Sequence, residues 1–496
     1  MHLRKLTLRN FRCFEEFELD LHPRLTVLVA ENGGGKSAIL DAIAIGLARV
    51  LEGFSTANQR LSGPGIKDTD FRLTSWAGPY GEEAAGASDF AQVVLETTDG
   101  LVWDSWRQST KGRQPESRYS RRDLSAYAND VLASLHTPMP GLLPVFAYYG
   151  AQRSSLDIPE RLRDSKVNYA YPTAALVDSL KSATDFRELL KWFDNQEAAE
   201  LREMRSRQVT LFETDIRYRE EPAEGGRVAR IYPALDGVRT AVSNILGRDY
   251  YNPHFTAKHK FVIQSAHGPE VMQVAQLSQG YQSMLALGMD FARRLAIANG
   301  HLSEPDTPFN WRPAQEYVAR HHPDGLADAP PHGPAWAPAI MLVDEVDLHL
   351  HPSWQQRVLA DLMRAFPYTQ FIVSTHSPQV LSTVRAECIR PLTRNVKGKW
   401  NAQPPTEQTV GTASGYLLAS IMNTDPVPPV VEARWVSEFH ALIQQNLFDT
   451  PEARQLRSKL EERFGTKHPV ILEFDRMIRL ERFKQTLSST ANQKQE

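Results

Sequence analysis

Apolar residues alternate with polar ones at the start of the chain, at Leu6 and Leu8 and again at Phe17, Leu19 and Leu21, and then close up into Leu25-Thr-Val-Leu-Val29. Alternation marks a strand with one buried face, and a short unbroken apolar run marks a strand buried on both. After Gly35 the spacing changes to Ile39, Leu40, Ile43 and Leu47, one face of a helix. The opening therefore reads as strand, glycine-rich loop, helix. Further on, Asp99-Gly100 separates two strand-like runs between Val93 and Trp103, which predicts an antiparallel hairpin.

From about Thr173 to Glu221 the chain is rich in Leu, Glu, Arg and Ala, with Phe186, Leu189, Leu190 and Phe193 at helical spacing. This predicts a helical insertion, closed by Glu221-Pro-Ala-Glu-Gly-Gly226 and too irregular in its heptads for a long coiled-coil arm. The Pro- and His-rich stretch Pro305 to Pro338 is expected to be an exposed loop. Its His321, His322 and His332 are metal-type ligands, but the flanking Pro and Gly favour a solvated loop over a fixed cage. In the last part, Trp435, Phe439, Leu442 and Ile443 share one helical face, and Leu456, Leu460 and Phe464 another. Trp435 and Phe439 are either anchors for a partner or packing within the tail itself, and stripes at this spacing are usually packing.

The chain has 496 residues, 42% hydrophobic and 23% charged. Those values fit a globular protein of about two to four domains and exclude a single small module or a disordered chain. No apolar run approaches the ~20 residues of a membrane span, and the N-terminus has strand-like alternation where a signal peptide needs an apolar block. Cys13 and Cys388, the two cysteines, cannot form a disulfide framework and suit a reducing compartment. A cytoplasmic protein without a membrane partner is expected. A net charge of −3 neither supports nor excludes nucleic acid as a partner.

The chemistry sits at strand ends. Ala30-Glu-Asn-Gly-Gly-Gly-Lys-Ser37 follows a strand and opens a helix, the setting of a phosphate-binding loop. Asn32, Gly33, Gly34, Gly35 and Ala38 would line the phosphates, Lys36 would neutralise the β and γ groups, and Ser37 would offer its hydroxyl to Mg²⁺. The first glycine of the usual pattern is here Ala30. Ala339-Ile-Met-Leu-Val-Asp-Glu345 is a buried strand ending in two carboxylates, with Asp344 suited to the Mg²⁺ shell and Glu345 to activating water. Phe371-Ile-Val-Ser-Thr-His376 is a second strand, and His376 could hydrogen-bond a γ-phosphate. Leu277-Ser-Gln-Gly280 precedes helix-spaced Met284, Leu287 and Leu295, so Ser278 and the Gly280 backbone form an anion site at a helix start.

Glycine loop, Leu-Ser-Gln-Gly, Asp344-Glu345 and Ser-Thr-His376 follow one another as in the ABC ATPase fold. Asn10-Phe-Arg-Cys-Phe14 and Asp344-Glu-Val-Asp-Leu-His-Leu-His-Pro352 resemble the RecF, SMC and OLD branch more closely. The resemblance implies an α/β, ABC-type P-loop ATPase with a mostly parallel sheet, an antiparallel β subdomain, a short helical insertion and a helical C-terminal module. It implies ATP and Mg²⁺ as cofactors, and a homo-oligomer in which Ser278 and Gly280 cap nucleotide held by the opposing subunit. It places Gln152 of Tyr148-Tyr-Gly-Ala-Gln152 in the Q-loop, as a contact of Mg²⁺ and water, and Arg12 against the nucleotide. Where the transporter-like pattern has an aspartate across the interface, this chain has His349 and His351, expected to shape the dimer contact rather than to bind metal. The expected organisation is ATPase core over 1–155, helical insertion over 156–235, second core part over 236–400 with an exposed insertion at about 301–338, and helical module over 401–496.

The layout is similar to the PtuA-type ATPases of Septu and retron anti-phage systems. That resemblance implies a separate HNH-type nuclease as partner and, in retrons, a reverse transcriptase and its DNA. No HNH or Toprim-like pattern is found in this chain, so nuclease chemistry is expected from the partner. Two alternatives stand beside it: a RecF-like DNA-binding ATPase of repair or recombination, and a nucleotide-gated scaffold with weak hydrolysis.

Overall fold

The structure is a computed structural model that describes residues 1–57, 59–77, 83–110, 112–116, 118–138, 140–153, 167–182, 186–214, 233–246, 249–303, 337–395 and 398–492. The histidine-rich stretch expected to form an exposed loop, with His321, His322 and His332, lies outside the described residues, as does the end of the helical insertion at Glu221 to Gly226. The chain divides into two compact units, Met1–Leu417 and Leu418–Glu496.

The first unit opens with β1 (Leu3–Phe11), β2 (Phe14–Asp20) and β3 (Leu25–Val29), followed by α1 (Lys36–Gly53). In β1 and β2 the alternating residues Leu6, Leu8, Phe17 and Leu19 are buried, so one face of this antiparallel pair meets the core. Past the short strands β4 (Leu73–Ala77) and β5 (Glu83–Ala87), β6 (Phe90–Thr97) and β7 (Val102–Gln108) form the expected hairpin, and the sheet order is β2-β1-β6-β7. This sheet covers α1: the Trp103 indole donates to the Gly46 carbonyl at 2.9 Å. Sealed from water on that side, α1 buries Ile39, Leu40, Ile43 and Leu47 completely.

The central sheet contains β3, β8 (Val145–Tyr149), β12 (Ala339–Val343), β13 (Thr369–Ser374) and β14 (Ile389–Pro391), in the order β14-β3-β13-β12-β8 and all parallel. Strands β3, β8, β12 and β13 are buried along their whole length, which is why β8 and β12 are unbroken apolar runs and β3 and β13 are interrupted only by buried Thr26, Thr369, Gln370 and Ser374. Register aligns their ends: Val343 pairs with Val373 and Tyr149, and Ser374 with Leu28. Four loops carrying the polar motifs therefore leave one edge of the sheet together, the usual place for a ligand in a parallel α/β sheet.

Helix α2 spans Arg122–Ser134, α3 Arg187–Thr214, α4 Pro233–Leu246 and α5 Gln279–Ala298. The insertion helix is shorter than its composition suggests. Only a 3₁₀ turn, Pro172–Leu176, forms at its expected start, and the chain then runs beside β8, accepting from Tyr148 N–H at Ser179 and from Gly150 N–H at Ser182. Backbone donors on this edge of the sheet need acceptors, and that requirement overrides helix propensity through residue 182. Phe193 of α3 packs its ring on Phe255 and Phe261 of the small antiparallel sheet formed by β9 (Tyr250–Phe255), β10 (Phe261–Ser265) and β11 (Val271–Gln273).

In the second unit the helices Val431–Gln444, Pro451–Phe464 and Pro469–Asn492 enclose Phe439, Ile443, Phe448, Leu460, Ile471 and Phe474. Phe439 is buried and Trp435 packs against the same cluster, so both belong to the tail's own core. Among the described residues no helix is long and apolar enough to cross a membrane.

Candidate nucleotide site

The loop between β3 and α1 is held from below by aromatic packing. Gly35 takes φ 86°, and a Cβ there would lie 2.6 Å from the Phe14 ring, so only glycine allows the turn that delivers Lys36 to the helix start. Ala30 fits at the first position of the loop because Gly34 has no side chain: a Cβ on Gly34 would lie 2.5 Å from the Ala30 methyl. Lys36 Nζ donates to the carbonyls of Ala30 at 2.9 Å and Glu31 at 3.2 Å, bridging the loop it belongs to. Burial lowers the Lys36 ammonium pKa, against the opposing pull of Asp344, Glu345 and Asp347.

One contact joins the two principal motifs. Ser37 Oγ donates to Asp344 Oδ2 at 2.7 Å across 307 residues of sequence. The other carboxylate oxygen accepts from Ser374 Oγ at 2.5 Å, while that hydroxyl accepts from the Glu345 N–H at 2.8 Å. Glu345 follows with φ 49°, a left-handed conformation rare for a residue with a side chain and common where backbone geometry serves a site. Asp347 accepts from Thr375 Oγ1 at 2.6 Å and from the His376 N–H at 3.4 Å, which fixes the backbone of half-buried His376 beside the acids.

The Leu277-Ser-Gln-Gly segment starts α5, as expected. Ser278 is exposed at the N-cap and its side chain makes no cap hydrogen bond. Gly280 is packed so tightly that a Cβ would lie 2.6 Å from the His349 carbonyl, joining the helix start to the loop beyond the acids. His349 takes φ 60°, and exposed His351 caps the helix Pro352–Gln355, its Nδ1 accepting from the Ser353 N–H at 3.3 Å. A buried ionic triad anchors α5 deeper in the core: Asp290 meets Arg293 at 2.6 Å and Arg294 at 2.7 Å, and accepts from the Tyr149 hydroxyl of β8 at 2.9 Å.

Arg12 and Gln152 are the two further residues expected at the nucleotide. Arg12 is paired with Asp70 at 2.8 Å and Asp41 of α1 at 2.7 Å, and Asp41 also accepts from Tyr148 at 2.9 Å. It therefore braces β1 against α1. Gln152 is exposed on the turn after β8, and its neighbour Arg153 is the residue that turns inward. Arg153 donates to the backbone carbonyls of Asp344 and, at 2.5 Å, of Glu345. Sequence reading passed over Arg153, Ser374 and Asp347 as site residues. Ser374 and Asp347 lie within motifs whose other positions were read, whereas nothing local marks Arg153.

Two family models match, one described as "AAA domain" over residues 5–216 and one as "AAA domain, putative AbiEii toxin, Type IV TA system" over residues 274–382. The "Retron Ec83 probable ATPase" of Escherichia coli is 24% identical over 94% of this chain and 84% of its own length. The "Retron Vc95 probable ATPase" of Vibrio cholerae is 23% identical over 92% of this chain and 86% of its own length. "Septu protein PtuA" of Bacillus mycoides matches only 8% of this chain and 6% of its own length, at 50% identity. The glycine loop, Asp344-Glu345 and His376 thus leave one edge of a parallel sheet in a chain that carries AAA-type ATPase domains and is similar along most of its length to retron probable ATPases.

Proposed function

We propose that this protein is an ATP-hydrolysing switch whose sites are completed between two copies of the chain, and that it controls a partner nuclease in anti-phage defence. The observation that carries the hydrolytic reading is the 2.7 Å contact of Ser37 with Asp344, beside a buried lysine at a helix N-terminus. Two hard oxygen donors at that distance, at the mouth of a phosphate loop, fit an Mg²⁺ shell to which Gln152 could add a third. Bound there with ATP, Mg²⁺ supplies charge neutralisation at the phosphates.

The chain's own residues do the rest. The first turn of α1 and Lys36 bind and orient the β and γ groups, and Lys36 exchanges the carbonyls of Ala30 and Glu31 for phosphate oxygens. Asn32, Gly33, Gly34, Gly35 and Ala38 complete the cradle. Glu345 takes the proton of the attacking water, and His376 holds the γ-phosphate edge. Arg12, held by Asp41 and Asp70, would lie against the nucleotide.

Ser278 supports a composite site: its hydroxyl is exposed at the start of a 20-residue helix and is not spent on a cap. Closure of a dimer or higher oligomer around two nucleotides adds contacts that the open state lacks, and hydrolysis removes them. The relationship to retron ATPases along most of the chain supports the defence role; a separate HNH-type nuclease, and a reverse transcriptase with its DNA, are the partners we propose. Phage challenge of cells in which Lys36→Ala replaces the wild-type gene tests it: protection should vanish, and restoring the wild-type gene should bring it back. Full protection by Lys36→Ala would sink the proposal, and sensitivity to DNA damage without a phage phenotype would favour the RecF-like alternative.

A further inference from the structure

Arg153 is 3% exposed, yet its hydrogen bonds among the described residues run to neutral oxygens. Nη1 donates to the carbonyls of Gly150, at 3.2 Å, and Asp344; Nη2 donates to the Glu345 carbonyl at 2.5 Å; Nε donates to Ser283 Oγ at 3.3 Å. A buried guanidinium is costly to desolvate, and burial lowers its pKa to about 10, which still leaves it charged at neutral pH. Apolar residues would fill the space at less cost. What only a planar fork can do here is hold two successive carbonyls at once. In extended backbone successive carbonyls point to opposite sides, and the left-handed φ of 49° at Glu345 is what lets both face one guanidinium.

The fourth contact leads elsewhere. Ser283 lies in the second turn of α5, whose first turn carries Ser278 and Gly280. Arg153 thus touches the turn bearing the hydrolytic acid and the helix bearing the segment that acts on a second nucleotide. Its own backbone is fixed on a rigid base, because Gly150 N–H donates to the Ser182 carbonyl and Arg153 N–H to the Gly150 carbonyl, at 2.9 and 3.1 Å.

We propose that Arg153 is a positioning residue that holds the Asp344–Glu345 turn in its working geometry and couples it, through Ser283, to the placement of α5. The inference rests on the reading that Glu345 activates water and that Ser278 serves a neighbouring copy. A shift of α5 on closure would load or release the Nε contact and so move the Glu345 backbone, tying water activation to assembly.

Steady-state ATP hydrolysis by the full chain tests it, with ATP binding and thermal unfolding measured on the same samples. Arg153→Lys keeps a cation but loses the fork, and its kcat should fall about 100-fold with the ATP KM within about twofold. Ser283→Ala removes one hydroxyl and should lower kcat about fivefold without changing the unfolding temperature. In a Glu345→Gln background Arg153→Lys should add less than about a twofold loss, since the base it positions is gone. Wild-type kcat in Arg153→Lys and Ser283→Ala would overturn the inference, as would full additivity with Glu345→Gln. If Lys36→Ala hydrolyses ATP at the wild-type rate, the nucleotide reading itself fails; if Lys36→Ala is inactive while Arg153→Lys is normal, only the positioning role fails. Should Arg153→Lys not fold, Ser283→Ala and its cycle with Glu345→Gln decide alone.

Discussion

The ATPase unit and the three-helix tail are both closed by apolar packing, but they treat charge in opposite ways. In the first unit Lys36, Arg153, Asp290, Arg293, Arg294 and Asp344 are all buried, each against named partners. In the tail no charged side chain is buried among the described residues; Arg457, Arg463 and Arg482 make their ion pairs at the surface. Burying charge costs several kcal/mol per ion unless hydrogen bonds offset it, so a fold retains such groups where geometry or chemistry requires them. The tail's seven-residue buried cluster needs no such device. Chemistry is concentrated in the unit that carries the electrostatic cost, and substitutions should separate the two units in kind as well as in size.

The largest effect is expected at Glu345. Glu345→Gln removes the base while keeping shape and backbone, so hydrolysis should fall about 1,000-fold, with ATP binding retained. Single-turnover hydrolysis alongside nucleotide binding measures both, and a wild-type rate would show that Glu345 is not the base. No substitution in the tail should approach this.

Next comes Asp290, where the first unit's buried charge serves packing rather than reaction. Burial alone would raise its carboxyl pKa, but Arg294 and Arg293 outweigh burial and hold it below the usual range. Asp290→Ala leaves two buried cations uncompensated and should cost about 3–5 kcal/mol of stability, measured by denaturant unfolding. The sign with pH follows from the depressed folded-state value. Its contribution is complete above the unfolded carboxylate range near ~4 and is lost as pH falls through the lower folded value. Asp290→Ala should therefore lose this part of the acid dependence, and an unchanged acid limb would argue against the pair.

How much of this was legible in the sequence depends on how far apart the partners lie. Lys36 and Ser37 were readable because strand, glycines and helix follow one another within a few residues, and Asp344-Glu345 because an apolar run stops at two acids. Arg153 was not, because its partners are backbone carbonyls 191 and 192 residues away, and no side-chain pattern announces a carbonyl. Helical composition from Thr173 misled, since the open edge of β8 draws that segment into backbone pairing. In the tail, spacing alone located Phe439, Ile443 and Leu460, because helix on helix packing is nearly all such a small core contains.

Phe439 carries the tail's version of the Asp290 test without charge. Its ring lies 4.9 Å from that of Phe474, with the Arg457 guanidinium 5.9 Å from its centre. Phe439→Ala should cost about 3 kcal/mol in the unfolding of the tail, with ATP hydrolysis unchanged. Hydrolysis falling in parallel with tail stability would break the proposed separation.

The smallest effect should be found at Arg463, whose guanidinium meets Glu432 at 2.9 Å and is 67% exposed. An exposed pair gains little Coulomb energy in water, spends side-chain entropy and is screened by salt, so Arg463→Ala should change stability by about 0.5 kcal/mol or less. The site still sharpens the comparison, because Arg463 and Glu432 also line an apolar groove with Val427, Val430, Val436 and Phe464. If the pair only solvates the rim, raising the ionic strength should leave wild type and Arg463→Ala equally stable. A loss several times larger, persisting in high salt, would mean that the arginine's alkyl stem packs on Phe464 and that the tail, too, relies on a long cationic side chain to close its core.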